Sequence, residues 1–206
     1  MKSFQTVAWD RGQCRKELDE FRKLLRRPGP LKEREDLLPF FKKRLHLSAF
    51  LGCYHPKAVR FDLVAHEYDL FGDFACDLAV GDSERKVYGF IEFEDAAAGS
   101  IFVKRQGKSS LEWAPRFEHG FSQLVDWFCK LADMEKTDEF EDRFGKRSIE
   151  CFGLLVVGKD ESLGDKEVRR LQWRQDKVLI DAHKVHCLTF NQLCEDLNLR
   201  LSQYMI

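Results

Sequence analysis

Between Gly72 and Glu94 the sequence reads GDFACDLAVGDSERKVYGFIEFE. Two runs of strand-like character flank a polar turn, GDSER at 81–85. A strand sends alternate side chains to opposite faces. In the first run Phe74, Cys76, Leu78 and Val80 therefore share one face, and Asp73, Ala75, Asp77 and Ala79 the other. In the second, Val87, Gly89, Ile91 and Phe93 oppose Tyr88, Phe90, Glu92 and Glu94. Paired as a hairpin, the strands bring Asp77 beside Glu92 and Glu94. Carboxylates on neighbouring strands repel one another until protons or a cation neutralise them. Two readings fit: a solvated acidic sheet face, or a pocket floor. Small Ala75 and Ala79 around Asp77, and aromatic Phe90 before Glu92, favour the pocket.

The remaining chain supplies helices to cover such a sheet. Cys14, Leu18, Phe21 and Leu25 have helical spacing within 10–27, and Pro-Gly-Pro at 28–30 stops that helix. Residues 1–30 are expected as an N-terminal helical appendage and 31–206 as the main domain. A second helix is expected over 31–50, with Leu38, Phe41, Leu45 and Ala49 buried and Pro39 as its start or a kink. Glu35 lies one turn before Leu38. It is either an acid directed into a site or a first-turn acid favoured by the helix dipole. A first strand is expected over 58–70, and a mobile crossing loop after Glu94. Pro115 opens a long helix whose core face is Phe117, Phe121, Leu124, Phe128 and Leu131. Its adjacent face carries Arg116, His119, Gln123 and Trp127.

A buried strand follows at 149–158. Next comes a helix over 165–182, with Val168, Leu171, Val178, Leu179 and Ala182 inward and Arg169, Arg170 and Arg174 outward. A short strand at 186–190 precedes a last helix capped by Asn191 and striped by Leu193, Leu197, Leu201 and Tyr204. This order predicts an α/β fold, a mixed β-sheet flanked by helices.

Composition narrows the function. The seven cysteines form no CxxC pair, which argues for reduced thiols in a cytoplasmic protein. The first residues lack the apolar segment of a secretory signal, and no apolar run is long enough to span a bilayer. A net charge of −1 excludes a globally basic nucleic-acid binder. Basic residues are nevertheless clustered locally, among them Lys104, Arg105 and Lys108 in the crossing loop, and Arg169, Arg170 and Arg174. Such clusters suit phosphates, or simply make solvated faces.

The acids have the spacing Asp77, fourteen residues, then Glu92-Phe93-Glu94. Metal nucleases commonly use D-(x)n-(D/E)-x-K, in which the acids hold Mg²⁺ and the lysine stabilises developing negative charge. Here Glu94 stands in the lysine position. A carboxylate there can ligate a second cation or accept a water's proton.

The segments GDFACDLAVGD, GFIEFEDAAAGSIF and EWAPRFEHGFSQLVDWFCKL resemble the Shedu family of immune nucleases, within the PD-(D/E)xK phosphodiesterase superfamily. The resemblance spans about residues 31–190, by motif order. It implies a restriction-endonuclease-like core, αβββαβ followed by helix–strand–helix, that cleaves DNA with Mg²⁺ or Mn²⁺ in bacterial antiphage defence. It implies Asp77 and Glu92 as metal ligands, Glu94 at the third active-site position, Gln123 from the following helix, and Glu35 from the first. Lys104, Arg105, Lys108, Arg116 and His119 are the expected contacts to DNA. The expected partners are DNA and further copies of the chain, with the family's sensor either absent or on a separate subunit, and no membrane. The alternative is a nuclease-fold module that binds nucleic acid or a protein without cutting.

Overall fold

The computed structural model describes residues 3–203; Tyr204, expected in the last helical stripe, lies outside them. A mixed seven-stranded sheet divides two helical layers. Its strands are β1 (Gln5–Thr6), β2 (Leu63–Leu70), β3 (Phe74–Asp82), β4 (Val87–Phe93), β7 (Glu150–Val156), β8 (Leu179–Ile180) and β9 (His183–Leu188), in the order β1-β2-β3-β4-β7-β9-β8. The β4–β7 and β7–β9 pairs are parallel and the rest antiparallel. A two-stranded ribbon, β5 (Phe102–Val103) with β6 (Glu112–Trp113), lies in the segment expected to be a loop.

The helices are α1 (Arg11–Leu25), α2 (Leu38–Lys42), α3 (Leu45–Phe50), α4 (Pro115–Met134), α5 (Asp138–Phe144), α6 (Asp165–Lys177) and α7 (Phe190–Gln203). Side chains of α1, α2, α3 and α7 pack with Leu78, Val80, Ile91 and Phe93 on one sheet face. Side chains of α4 and α5 pack with Ala79, Tyr88 and Phe90 on the other. Among the described residues no helix is long and apolar enough to cross a membrane.

The helix expected as an appendage is packed into this core. Asp10 caps α1 by accepting from the Gln13 amide at 2.6 Å. Cys14, Leu18 and Phe21 are fully buried with Phe41, Phe190 and Leu197. Buried Glu17 accepts the Leu47 amide at 2.8 Å, satisfying a donor in the first turn of α3.

Four local expectations need correction. The single helix expected over 31–50 is broken into a π-helical turn at Glu33–Leu37, then α2 and α3. Pro39 has no amide hydrogen to continue a longer ladder. Helix α6 ends at Lys177, not Ala182. Asp181 and Ala182 both take positive φ, 48° and 61°, which makes the tight turn of the β8–β9 hairpin. Leu179, expected inward, is consequently exposed. Helix α7 is capped by Thr189, not Asn191: the Gln192 amide donates to Thr189 Oγ1 at 3.0 Å, and the Thr189 amide donates to Gln192 Oε1 at 3.1 Å. Asn191 instead accepts the Asp160 amide.

The fourth concerns the central strands. Cys76 does not share a core with Leu78 and Val80; it packs with Tyr68, Ala79 and Phe90. Opposite this point Glu67 has φ 51°, and the β2–β3 ladder skips the Glu67–Asp77 pair. A left-handed residue within a strand interrupts the alternation of faces.

Candidate active site

The hairpin register fixes the floor of the site. Leu78 pairs with Ile91 and Ala79 with Phe90, so Asp77 stands opposite Glu92. Residues opposite one another in an antiparallel pair point to the same face. The ladder ends there, and the Phe93 amide donates to Asp77 Oδ2 at 2.9 Å in place of a main-chain acceptor. Helix α4 closes over the floor at Gly120. A Cβ at that position would come 2.7 Å from Leu155 Cδ1 and 3.3 Å from Glu94 Cγ. The close approach lets Gln123 donate to Glu92 Oε1 and Arg116 donate to Glu94 Oε2, the latter at 2.6 Å.

These groups line an open cleft of about 1130 Å³ together with Lys32, Glu33, Asp95 and the 97–100 loop. Of the expected residues, Asp77, Glu92, Glu94, Gln123, Glu35, Arg116 and His119 all line it. Lys104, Arg105 and Lys108 do not. Arg105 and Lys108 pair with Glu112 across the β5–β6 ribbon, at 2.8 and 3.3 Å.

Sequence reasoning missed Glu33, Lys32 and Asp95. Glu33 is half-buried, and its charge acts on Asp77, Glu92 and Glu94 alike, whereas Glu35 is exposed at the same cleft. The π turn decides this: Lys32 C=O accepts from the Leu37 amide, five residues on, at 3.1 Å. Nothing in the sequence marks so wide a turn. Asp95 fastens it to the end of β4, accepting the Glu33 amide at 2.9 Å and Lys32 Nζ at 3.2 Å. The acid directly after the Glu-Phe-Glu segment was the available signal for Asp95.

The electrostatics follow from this geometry. Burial, and then the neighbouring acids, push the Asp77 and Glu92 carboxyls well above the ordinary carboxylate range. Glu94 is also raised, by burial, against the opposing pull of Arg116. Asp95 lies below its usual value, because the Glu33 amide, Lys32 and Arg116 together outweigh its desolvation. The site is thus an acid pair short of positive charge at its floor, with Arg116 and Lys32 at its wall.

No three His, Cys, Asp or Glu side chains among the described residues form a group that could by itself hold a metal ion. A divalent magnesium-type ion does not require such a group. It is commonly held by one or two carboxylates, with waters and substrate phosphates completing an all-oxygen shell. Asp77 and Glu92 supply hard oxygen donors from adjacent strands, so the donor set fits that class of ion.

The family described as Shedu protein SduA, C-terminal, matches residues 31–194. The chain belongs to the Shedu family. Membership points to a role in Shedu antiphage defence. The match takes in every cleft residue named above, from Lys32 to Gln123, and leaves α1 outside it. No curated protein matches the chain.

Proposed function

We propose that this Shedu domain is a metal-dependent deoxyribonuclease with a restriction-endonuclease-like core of the PD-(D/E)xK type, cutting or nicking phage DNA. The observation that carries the reading is the pair of half-buried Asp77 and buried Glu92, directly opposed on adjacent strands at the floor of an open cleft. Mg²⁺ or Mn²⁺ held by that pair would supply Lewis acidity at the scissile phosphate. Asp77 is steadied by the Phe93 amide and Glu92 by the Gln123 amide, so neither carboxylate needs to reorient. Glu94, raised by burial, is suited to accept a proton from the attacking water. Arg116 supplies the positive charge that a motif lysine would bring, from a helix instead of the strand. Lys32 and His119 lie on the same cleft walls to receive the flanking phosphates. Action on DNA as a homo-oligomer belongs to this reading.

Supercoiled, linear and single-stranded DNA incubated with Mg²⁺ or Mn²⁺ tests it. Cleavage should require the metal and vanish in Asp77→Ala and Glu92→Ala. One observation favours a second reading, a nuclease-fold module that grips without cutting. Glu94 occupies the lysine position and is neutralised by Arg116 at 2.6 Å. DNA retained by the wild-type protein, with no cleavage in either metal, would decide for that module.

A further inference from the structure

A second groove, of about 580 Å³, opens along α6 and is lined by Trp113, Lys166, Arg169, Arg170, Trp173, Arg174 and Val178. Lys166, Arg169, Arg170, Trp173 and Arg174 follow helical i, i+3, i+4 spacing, so they make one stripe. No acidic residue lines the groove. The inner two arginines are already engaged. Arg170 donates to Leu111 C=O at 2.6 Å and lies over the Phe102 and Trp113 rings. Arg174 pairs with Glu118 at 2.7 and 3.0 Å and lies over Phe121. The outer two cations, Lys166 and Arg169, are exposed, and no ion pair holds either among the described residues. One turn further along the same stripe stands Trp173, 63% exposed. A large aromatic ring left in water beside free cations suits a flat, anionic occupant.

We propose that the α6 stripe is a second nucleic-acid site, a stacking platform for single-stranded DNA. One base lies on the Trp173 indole while adjacent phosphates pair with Lys166 and Arg169. Base–aromatic stacking tolerates any sequence, and the cations follow the backbone. The groove adjoins the acidic cleft through one segment: Trp113 lines the groove, and Ala114, Pro115 and Arg116 line the cleft. A strand leaving the cleft therefore meets α6 next. The inference deepens the deoxyribonuclease reading by giving the strand a second hold. It is tested without cleavage.

The test uses the full chain in EDTA with a fluorescent oligothymidylate of about 20 nucleotides, longer than a minimal single-strand footprint. Binding is read by anisotropy and by quenching of tryptophan fluorescence. Trp173→Ala, a substitution at an exposed position, should weaken binding about 10-fold and remove much of the quenching. The Lys166→Glu, Arg169→Glu double variant should weaken it further and flatten the log–log salt dependence by about 1.4. Equal affinity for wild type and Trp173→Ala overturns the proposal. So does displacement of the strand by polyglutamate as readily as by unlabelled oligothymidylate, which would make the groove an acidic-peptide site. Strand binding that survives while the wild-type protein cuts no DNA removes the nuclease reading and leaves this site standing.

Discussion

The Asp77–Glu92 pair makes the metal-free protein less stable as pH rises, and Asp77→Asn should relieve this. Opposed residues of an antiparallel pair have Cβ atoms about 5 Å apart. Two unit charges at that separation, in an effective dielectric of about 20, repel by about 3 kcal/mol. The sign follows from proton uptake. Both folded carboxyls lie above their unfolded values of 3.8 and 4.5, so between those values and the folded ones the native state holds more protons than the unfolded chain. Stability contributed by the protonated pair is complete below the unfolded values and is lost as pH rises through the folded ones. The carboxamide oxygen introduced by the substitution would still accept from the Phe93 N–H while carrying no charge. In EDTA the variant's advantage over the wild type should therefore be small at pH 5, just above the unfolded values, and larger at pH 9. For a chain of this size the gap should grow with pH toward about 10 °C, the upper bound set by about 3 kcal/mol once both carboxyls are ionised. Thermal melts followed by circular dichroism at pH 5, 7 and 9 measure it. Added Mg²⁺ should raise the wild-type midpoint at pH 9 and narrow the gap. A gap of equal size at all three pH values would refute the shared-site electrostatics.

Two further substitutions probe how the site is held. Arg116→Ala removes the partner of buried Glu94, together with contacts to Asp95 at 3.5 Å and Glu33 at 3.9 Å. Because the Arg116 side chain is 43% exposed, the loss should be about 1–2 kcal/mol in urea unfolding at pH 7, below that for a fully buried pair. Phe21→Ala opens a cavity beneath Phe41 and Phe190 and should cost about 3–5 kcal/mol in the same assay. A loss under about 1 kcal/mol would mean that α1 is not part of the cooperative core.

The floor of the site was legible because it depends on one local rule. With a period of two, Asp77, Glu92 and Glu94 fall on the same face once the 81–85 turn pairs the strands; the register sets Asp77 opposite Glu92, and all three acids line the cleft. Helix α4 was legible for a similar reason: Pro115 marks its start, and Arg116, His119 and Gln123 recur at helical spacing toward the cleft. Elsewhere the local rules met constraints from distant residues. Cys76 changed cores because left-handed Glu67, on another strand, interrupts the alternation. Asp181 and Ala182 looked like a continuing helix until β8 found β9 as a partner.

Periodicity and the placement of prolines thus determined, from the chain alone, which elements form and which acids share a face. Only the tertiary structure decided that Glu33 stands half-buried beside the acid pair while Glu35 is exposed at the same cleft. It also decided that Asp95 clamps the π turn, and that Arg116 of the following helix pairs with Glu94. Each of these depends on where a side chain of one element meets another distant in sequence. Spacing along a strand or helix carries no record of such meetings, because they are set by packing across the sheet.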